Sequence, residues 1–527
     1  MRREVSVASE TISTRYALTA FALLWFATQI IKVFLAANLA PFGDEAFYWQ
    51  ESRALAWSYT DVPPATALLI RAGEELFGHG LLGLRSLFLL LGAAIPLLLW
   101  RQARALADTR AACWSAGGWL LMPLGGSLGV MALPDVPLTF AALLMLIGLL
   151  RAVQSQARGW LWLGGGLALA WLSHYRAAML LPGGLGLLLA TPAARRLWRR
   201  PGLWLALAGG LLGLLPLLLF NRSHQWSGLS FQLVERHPWS FHADALVQPL
   251  EQALVVTPLL YALLLWALWR SWRTRAASTA AAVLAWAGFG VVIGYFVFGL
   301  FGDDLRFRLH WPLPAYLAAL LALGSLVAQG QGARRLRGAA YALAAAGCVV
   351  TYAYLAAAAE PALAQRLAAY KLFPYNFVGW DEAAARTRHW LQSGAAATPV
   401  LVADNFLLGA ELDFQFDGAQ VIYSLDSARN VKHGRAPQLA LWARDERGLR
   451  EREAGRAVLL VVERTSGSER ERAAWQQSLC RRIVDLQPLD ELVLFGGRKV
   501  FAWYRGRVPA TGEAGDCAAA EGAAPGG

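Results

Sequence analysis

Long apolar runs that alternate with short arginine-rich loops constrain this chain more than any other feature. The 527 residues are 57% hydrophobic and only 16% charged, whereas a soluble protein carries about 25% charged residues. Leu- and Ala-rich runs of about 20 residues, the length that crosses a bilayer, recur over most of the chain. The sequence therefore predicts a polytopic α-helical membrane protein.

About 11 spans are predicted, from the first at about residues 16–40 to the last at about residues 338–358. The loops after spans two, four, six, eight and ten are rich in arginine, which is typical of cytoplasmic loops. This pattern puts the N-terminus in the cytoplasm and the intervening loops on the outer face of the plasma membrane. The clustering of arginines in these loops also argues against nucleic acid as the reason for the net charge of +12.

The composition changes near residue 360 and predicts three regions. Residues 1–359 form a transmembrane domain whose first outer loop is 41–80, and no cleavable signal peptide is visible before it. Residues 360–506 alternate apolar strands with helices and predict a small α/β domain on the outer, periplasmic side. Residues 507–527, rich in Ala, Gly and Pro, are expected to be a disordered tail. A Cys480–Cys517 disulfide is not favoured, because Cys517 lies in that tail.

The first outer loop holds three acids among aromatic residues. Asp44 and Glu45 follow the first span directly, and Asp61 precedes a Val-Pro-Pro sequence. Carboxylates at a membrane boundary are costly unless they are hydrated or paired, so they indicate function. A carboxylate can also serve as a general base that takes a proton from a hydroxyl.

Further polar side chains fall on the same predicted face. Arginine and histidine supply charge and hydrogen-bond donors for a phosphate. Acids beside cations at the water–lipid boundary suit an amphiphile with an anionic head, such as a lipid-linked sugar phosphate. The residues concerned are Tyr48, Arg53, Asp135, His174, Arg176, Asp303, Asp304, Arg306, Arg308 and His310.

Each of these residues also has a structural interpretation. Asp44 could cap a helix that starts at Glu45, and Asp135 could cap the fourth span. Asp61 could form a turn before the prolines. The remaining residues could be interface side chains or a solvated ion-pair cluster, namely His174, Arg176, Asp303, Asp304, Arg306, Arg308 and His310.

Five motifs between about residues 15 and 320 carry a family resemblance. They are GDEAFYW, TDVPP, LPDVPL, LSHYRAAMLLPGG and HWPLPAY. Together they resemble the bacterial members of the dolichyl-phosphate-mannose protein mannosyltransferase family. That family belongs to the GT-C class of membrane glycosyltransferases, as do the aminoarabinose transferases that modify lipid A.

The resemblance implies an enzyme that moves a sugar from a polyprenyl-phosphate donor to an acceptor, with inversion at the anomeric carbon. The acceptor would be lipid A or lipopolysaccharide, another cell-envelope glycan or a protein. Asp44 matches the catalytic carboxylate of the family, Glu45 is the second member of that motif, and Asp61 occupies an acidic position of the relatives. Val62 stands where aminoarabinose transferases have a lysine, which weakens that particular interpretation.

The donor phosphate is assigned to cations of the outer loops. Those residues are Arg176, His174, Arg306, Arg308 and His310. Many relatives have a lysine at the position of His174, so the contact is expected to pass mainly to Arg176. Arg53, Tyr48 and Asp135 are predicted as further residues of the substrate site.

The sequence implies no cofactor with certainty. An activated lipid-linked donor needs no nucleotide, and no Gly-rich phosphate loop is found. A divalent metal near Asp44 and Glu45 is left open, although the loop has no Asp-x-Asp motif. The alternatives are a transporter of a lipid or solute, which would show repeated halves and charges within the membrane, and a non-catalytic scaffold or receptor.

Overall fold

The computed structural model describes residues 2–237, 239–302, 309–370, 372–393, 398–465, 469–510 and 513. The chain divides into two compact units. Unit 1 is Met1–Ala37, Ala56–Ser58 and Val62–Tyr354, and unit 2 is Asn38–Leu55, Tyr59–Asp61 and Leu355–Gly527. This division differs from the regions predicted by composition, because two pieces of the first outer loop group with the C-terminal residues.

All regular secondary structure in the described residues of unit 1 is helical. Short 3-10 helices lie at Tyr175–Leu180, Arg196–Arg199 and Ala243–Val247, and a π-helix at Phe231–Glu235. The α-helices are Arg2–Asn38, Ala65–Phe77, Leu81–Leu106, Thr109–Leu121, Pro123–Ser127, Asp135–Val153, Gly159–Ser173, Leu181–Ala190, Pro192–Arg195, Pro201–Ser223, Ser227–Ser230, Gln248–Val256, Pro258–Thr274, Thr279–Phe301, Leu313–Ala328 and Arg334–Ala359.

Six helices of the described chain are long and apolar enough to cross a membrane, or eight segments if two bent helix pairs each count as one span. The six are Thr14–Asn38, Leu81–Leu106, Asp135–Val153, Pro201–Ser223, Thr279–Phe301 and Arg334–Ala359. Every predicted span contains a helix, but the count of 11 is not confirmed. The predicted third span, at about residues 111–130, breaks at Met122, before Pro123. The helices Gly159–Ser173 and Leu313–Ala328, which lie at the predicted fifth and tenth spans, have only 15 and 16 residues, fewer than the ~17 that a perpendicular crossing needs.

Small residues bring three helices of unit 1 close together. A side-chain carbon at Gly148 would lie 2.5 Å from the backbone nitrogen of Leu163, and one at Gly213 would lie 2.3 Å from the Cα of Ala168. Close backbone approach of this kind is typical of helix packing in membranes, where small residues maximise van der Waals contact. The packing fixes the helix Gly159–Ser173 between its two neighbours, and so fixes the ends that carry Asp135 and His174.

Unit 2 is built on a mixed five-stranded sheet. The strands are β1 Val400–Ala403, β2 Ile422–Ser424, β3 Ala457–Glu463, β4 Val484–Leu494 and β5 Lys499–Arg507. Their order is β2-β1-β3-β5-β4; β1 pairs in parallel with β2 and β3, and β5 is antiparallel to β3 and β4. The prediction of a small C-terminal α/β domain is confirmed.

Helices cover both faces of this sheet. Along β3 the side chains alternate, so that Leu459 and Val461 pack in one apolar cluster while Leu460 packs in the other. The α-helices of unit 2 are Gly43–Arg53, Pro361–Leu367, Trp380–Gln392, Phe406–Gln415, Ala428–Lys432, Ala436–Leu441, Glu446–Glu453 and Glu469–Leu479, with 3-10 helices at Tyr375–Phe377 and Phe495–Gly497.

Two expectations concern the C-terminal end. Cys480 is disulfide-bonded, contrary to the expectation from the sequence, and its partner lies outside the described residues. Cys113 and Cys348 are free thiols. The predicted disordered tail lies outside the described residues except for 507–510 and 513, where Arg507 donates two hydrogen bonds to the carboxylate of Glu513.

Candidate active site

The helix Gly43–Arg53 carries the first acids of the predicted site. Its N-cap is Phe42, and the carboxylate of Glu45 accepts a hydrogen bond of 2.9 Å from the backbone N–H of Phe42. Asp44 is thus the second residue of the helix and does not cap it, which removes the structural interpretation offered for it. Two acids in the first turn also complement the partial positive charge of the helix N-terminus.

This helix packs against the helix Phe406–Gln415 of the same unit. A side-chain carbon at Gly43 would lie 2.5 Å from Cγ of Leu407, so this close contact requires the glycine of the GDE motif. The ring of Phe47 meets that of Phe406 edge-on, with centroids 5.6 Å apart. Gln50 donates a hydrogen bond of 2.7 Å to Asp413. The acid-bearing helix is therefore an integral part of the core of unit 2.

Arg435 joins three carboxyl groups into an acid cluster. Its Nη2 donates to Oδ1 of Asp44 over 2.9 Å, and its Nη1 donates to Oδ2 of Asp61. The same Nη1 lies 3.9 Å from Oε1 of Glu51. Residues far apart in sequence are thereby brought together, and we call Asp44, Glu51, Asp61 and Arg435 the acid cluster.

Members of the acid cluster differ in their access to solvent. The side chain of Asp44 is 30% exposed, whereas those of Asp61 and Glu51 are 5% and 0% exposed. Burial raises the pKa of Glu51 well above its ordinary value, and Arg435 only partly opposes this shift. Glu51 therefore favours the protonated form, while Asp44 is the most accessible carboxylate of the cluster.

The loop before Asp61 is fixed by hydrogen bonds within unit 2. The hydroxyl of Tyr59 donates to the carbonyl of Glu51 over 2.7 Å. Thr60 donates from its backbone N–H to the side-chain oxygen of Gln438 and from its hydroxyl to the carbonyl of Gly434, each over 3.1 Å. These contacts hold Asp61 beside the backbone that carries Arg435.

A second group of charged residues lies in unit 1. Nη2 of Arg176 donates a hydrogen bond of 2.7 Å to Oδ1 of Asp135, and both side chains are largely buried, at 10% and 13% exposure. Nε2 of His310 lies 3.4 Å from the same oxygen. Three of the residues predicted for the site are therefore brought together.

Trp311 completes this second group. Cζ of Arg176 lies 5.2 Å from the centre of its ring, and Cζ of Arg236 lies 5.9 Å from it. Both distances suit a cation–π contact. We call Arg176, Arg236 and His310, with Asp135 and Trp311, the cation cluster.

His174 stands beside the cation cluster as an uncharged group. Its Nδ1 accepts a hydrogen bond of 3.0 Å from the backbone N–H of Arg176. Burial, and then the charge of Arg176, hold the pKa of His174 well below its ordinary value. At neutral pH this histidine therefore shapes the turn that carries Arg176 and adds no positive charge, in line with the expectation that Arg176 takes the main phosphate contact.

An apolar groove lies alongside the cation cluster within unit 1. It has a volume of about 940 Å³, and the thirteen described residues that line it are all apolar or aromatic apart from two glycines. Its Phe298 is in ring contact with Trp311, at a centroid distance of 6.0 Å. The lining includes Trp239, Trp286, Phe289, Val297 and Phe298, and we call this feature the aromatic groove.

The other predicted site residues have less direct positions. Tyr48 is buried, and the centre of its ring lies 5.0 Å from Cζ of Arg435. Arg53 lies over the ring of Trp49 and is 3.9 Å from a carboxylate oxygen of Asp417. Arg306 and Arg308, like Asp303 and Asp304, lie outside the described residues.

The described part of the chain contains no cluster of metal-ligating side chains. No group of three or more His, Cys, Asp or Glu side chains there is arranged to hold a metal ion. Within the acid cluster the positive charge comes from the guanidinium of Arg435. The divalent metal left open by the sequence stays untested.

Sequence reasoning missed Glu51 and Arg435 in the acid cluster, and Arg236 and Trp311 in the cation cluster. Trp311 lies within the quoted HWPLPAY motif, so its position next to His310 was a usable signal. Arg435 lies in the α/β unit in an unremarkable Gly-Arg-Ala-Pro sequence. Nothing in its local sequence distinguishes it from a surface arginine.

The chain is similar in sequence to one protein family and to one curated enzyme. Residues 61–220 match the family model described as dolichyl-phosphate-mannose-protein mannosyltransferase. A lipid A galacturonosyltransferase, RgtD of Rhizobium johnstonii, is 29% identical over 286 residues, which is 53% of this chain and 59% of that protein. The match thus spans less than two thirds of this curated relative.

Solved structures of ArnT from Cupriavidus metallidurans have the same fold. The apo form matches with a TM-score of 0.63 at 16% identity, covering 92% of this chain and 98% of ArnT. The form bound to undecaprenyl phosphate matches with a TM-score of 0.63 at 15% identity and the same coverage. At this identity the match establishes the fold. Residues 61–220 are thus similar in sequence to the dolichyl-phosphate-mannose-protein mannosyltransferase family, and the chain has a fold similar to that of ArnT.

Proposed function

We propose that this chain is an inverting membrane glycosyltransferase that moves a sugar from a polyprenyl-phosphate donor to a lipid A-type glycolipid. The observation that carries the proposal is the contact between the cation cluster and the aromatic groove. Arg176 and Arg236 lie over Trp311, and Trp311 is in contact with Phe298 of the groove. A cation cluster next to an aromatic groove suits a lipid phosphate, whose head is anionic and whose chain is apolar.

Each end of such a donor has a chemical match. The phosphate oxygens can accept charge-assisted hydrogen bonds from Arg176, which stabilise the negative charge that grows on the leaving group. An isoprenoid chain is apolar and unsaturated, and it gains by leaving water for a groove lined with aromatic rings. The resemblance to ArnT, one structure of which has undecaprenyl phosphate bound, supports this donor class.

Asp44 is assigned the role of general base. It is the most exposed carboxylate of the acid cluster, so an acceptor hydroxyl can reach it. The acceptor oxygen forms a bond to the anomeric carbon as Asp44 takes its proton. The bond from that carbon to the phosphate oxygen breaks, and the lipid phosphate leaves with the electron pair. A single displacement of this kind inverts the anomeric centre.

The acceptor and the location follow from further observations. The similarity to a lipid A galacturonosyltransferase favours a glycolipid acceptor. The alternating arginine loops favour insertion in the plasma membrane with the N-terminus in the cytoplasm and unit 2 outside. A disulfide at Cys480 supports this orientation, because disulfides persist in oxidising compartments. No observation favours the alternative of a transporter.

The proposal is tested by sugar transfer with purified protein. Wild type should transfer label from a panel of synthetic polyprenyl-phosphate sugars to lipid A. Asp44→Asn keeps the shape and one hydrogen-bonding oxygen but cannot take a proton, so turnover should fall roughly 100- to 10,000-fold.

The matched control is Asp381→Asn. Asp381 is also the second residue of a helix in unit 2 and accepts a side-chain hydrogen bond from Gln415, yet no catalytic role is assigned to it. It should keep wild-type turnover. Folded Asp44→Asn with more than about a tenth of wild-type turnover would contradict the assignment of the base. A wild type inactive with every donor of the panel would contradict the proposed function itself.

A further inference from the structure

Arg435 is a buried cation contributed by the C-terminal part of unit 2. Only 3% of its side chain is exposed. Its Cζ lies 4.4 Å from the ring centre of Phe47, 5.0 Å from that of Tyr48 and 5.5 Å from that of Phe406. A charge held in such surroundings is costly unless it is paired. Arg435 can therefore be buried here only because carboxylate groups pair with it.

The two terminal nitrogens of Arg435 contact different acids. Nη2 donates to Asp44 and Nη1 to Asp61. A guanidinium is planar and rigid, so two bonds from its separate nitrogens fix the relative orientation of both acceptors. Asp61 is almost fully buried while Asp44 is partly exposed. The two terminal nitrogens of the guanidinium therefore link the accessible carboxylate of Asp44 to the buried carboxylate of Asp61.

The backbone around Arg435 is itself fixed. Its N–H donates to the carbonyl of Asn430 over 2.8 Å, and its carbonyl accepts from the N–H of Leu439 over 3.0 Å. The neighbouring Gly434 and Gln438 accept the two hydrogen bonds of Thr60, next to Asp61. The guanidinium thus starts from a rigid base, as a group that sets the geometry of a reacting side chain must.

We propose that Arg435 is a positioning residue that orients Asp44 and keeps it ionised for proton transfer. This inference rests on the proposed function, in which Asp44 is the base. Among the described residues, Tyr48 and Glu51 also interact electrostatically with Asp44, and Asp61 shares its guanidinium partner; none of these three side chains is a cation. An adjacent cation favours the charged form of a carboxyl group, and an Arg beside an Asp typically lowers the pKa of the Asp by roughly one to three.

The first test measures the ionisation of Asp44 without using turnover. A water-soluble carbodiimide activates protonated carboxyl groups, an added amine traps them, and peptide mass spectrometry reports the labelled fraction of Asp44 over a pH series. In Arg435→Gln the pH of half-maximal labelling should rise by about one unit or more. The matched control is Arg444→Gln, which breaks an Arg–Asp pair of 2.8 Å to Asp413 in the same unit. This control should leave the labelling of Asp44 unchanged.

The second test uses turnover and separates orientation from charge. Arg435→Lys keeps the charge but not the two-nitrogen fork. We expect the labelling midpoint of Asp44 to stay near that of wild type, while kcat falls about tenfold and the KM for the donor changes little. In Arg435→Gln the acid limb of the pH–rate profile should move to higher pH, because no guanidinium at position 435 then stabilises the carboxylate form of Asp44.

Three outcomes test whether Arg435 orients and ionises Asp44. Folded Arg435→Gln with the wild-type labelling midpoint would overturn the proposal. Should that variant not fold, Arg435→Lys with wild-type kcat would overturn it. If wild type transfers no sugar but Arg435→Gln still raises the labelling midpoint, the link between Arg435 and Asp44 stands and the proposed function fails.

Discussion

The ion pair between Arg176 and Asp135 offers the sharpest test of the cation cluster. Arg176→Ala removes the guanidinium that donates 2.7 Å to Asp135 and lies over Trp311. Two effects follow from one change, since the variant loses a phosphate contact and also leaves a largely buried carboxylate without its partner. They can be separated by magnitude and by a second substitution.

The two magnitudes follow from the burial and the contacts. Breaking a buried pair by removing one partner costs about 3–5 kcal/mol of stability. The low end applies here, because His310 remains 3.4 Å from the Asp135 oxygen. Losing one charge-assisted contact to a phosphate costs about 1.5–3 kcal/mol of binding, and this corresponds to a roughly 10- to 150-fold weaker Kd.

The assay compares Arg176→Ala with the double variant Arg176→Gln/Asp135→Asn in detergent-purified protein. Melting temperature reports stability, and titration with a short-chain polyprenyl phosphate reports binding. The double variant replaces the ion pair by an amide pair of similar shape, so its melting temperature should recover towards that of wild type, while its phosphate affinity stays low. A double variant with wild-type affinity would refute the reasoning, because Arg176 would then serve only as the structural partner of Asp135.

Two further predictions concern unit 2 and the orientation of the chain. Burial raises the pKa of Asp404 to about 7, above the unperturbed value of about 3.9, so the folded state binds the proton more tightly than the unfolded state. The stability contribution of this group is then present at low pH and is lost as the pH rises from about 4 to 7. At pH 8 the free energy of unfolding of Asp404→Asn should exceed that of wild type by up to ~4 kcal/mol, whereas at pH 4 the two should be equal. The same difference in free energy of unfolding at both pH values would contradict the shift. A reporter that is active only after export, fused near residue 365, should be active in cells, and a cytoplasmic signal there would rule out the proposed orientation.

Local sequence signals located much of the fold correctly. The continuous apolar run AVLLVVE predicts a strand and the charged amphipathic run ERERAAWQQSL predicts a helix, and these runs form the strand Ala457–Glu463 and the helix Glu469–Leu479. The bounds of the spans are harder to predict, since a Leu- and Ala-rich run indicates an apolar helix without indicating where it breaks. The break at Met122 and the short helix Gly159–Ser173 depend on packing between helices, which no single run encodes.

Two acids of the acid cluster, Asp44 and Asp61, could be predicted from the sequence, and their cation could not. Asp44 and Asp61 are marked by motifs next to a span, where a carboxylate is unusual. Arg435 is 391 residues from Asp44 and 374 residues from Asp61. Its role depends on the tertiary contact between the first outer loop and the α/β unit, and an arginine in a soluble-type domain carries no mark of that contact.

This long-range pairing explains why residues of the first outer loop group with the C-terminal unit. Gly43 is close-packed on Leu407, and Phe47 packs on Phe406, so the helix that carries Asp44 helps to bury the helix Phe406–Gln415. Arg435 then uses a ring of each helix, Phe47 and Phe406, as part of its own pocket. The apolar contacts that stabilise unit 2 are therefore the contacts that bring the guanidinium to Asp44. Substitutions in this part of the core should consequently affect the geometry of the proposed base as well as the stability of unit 2.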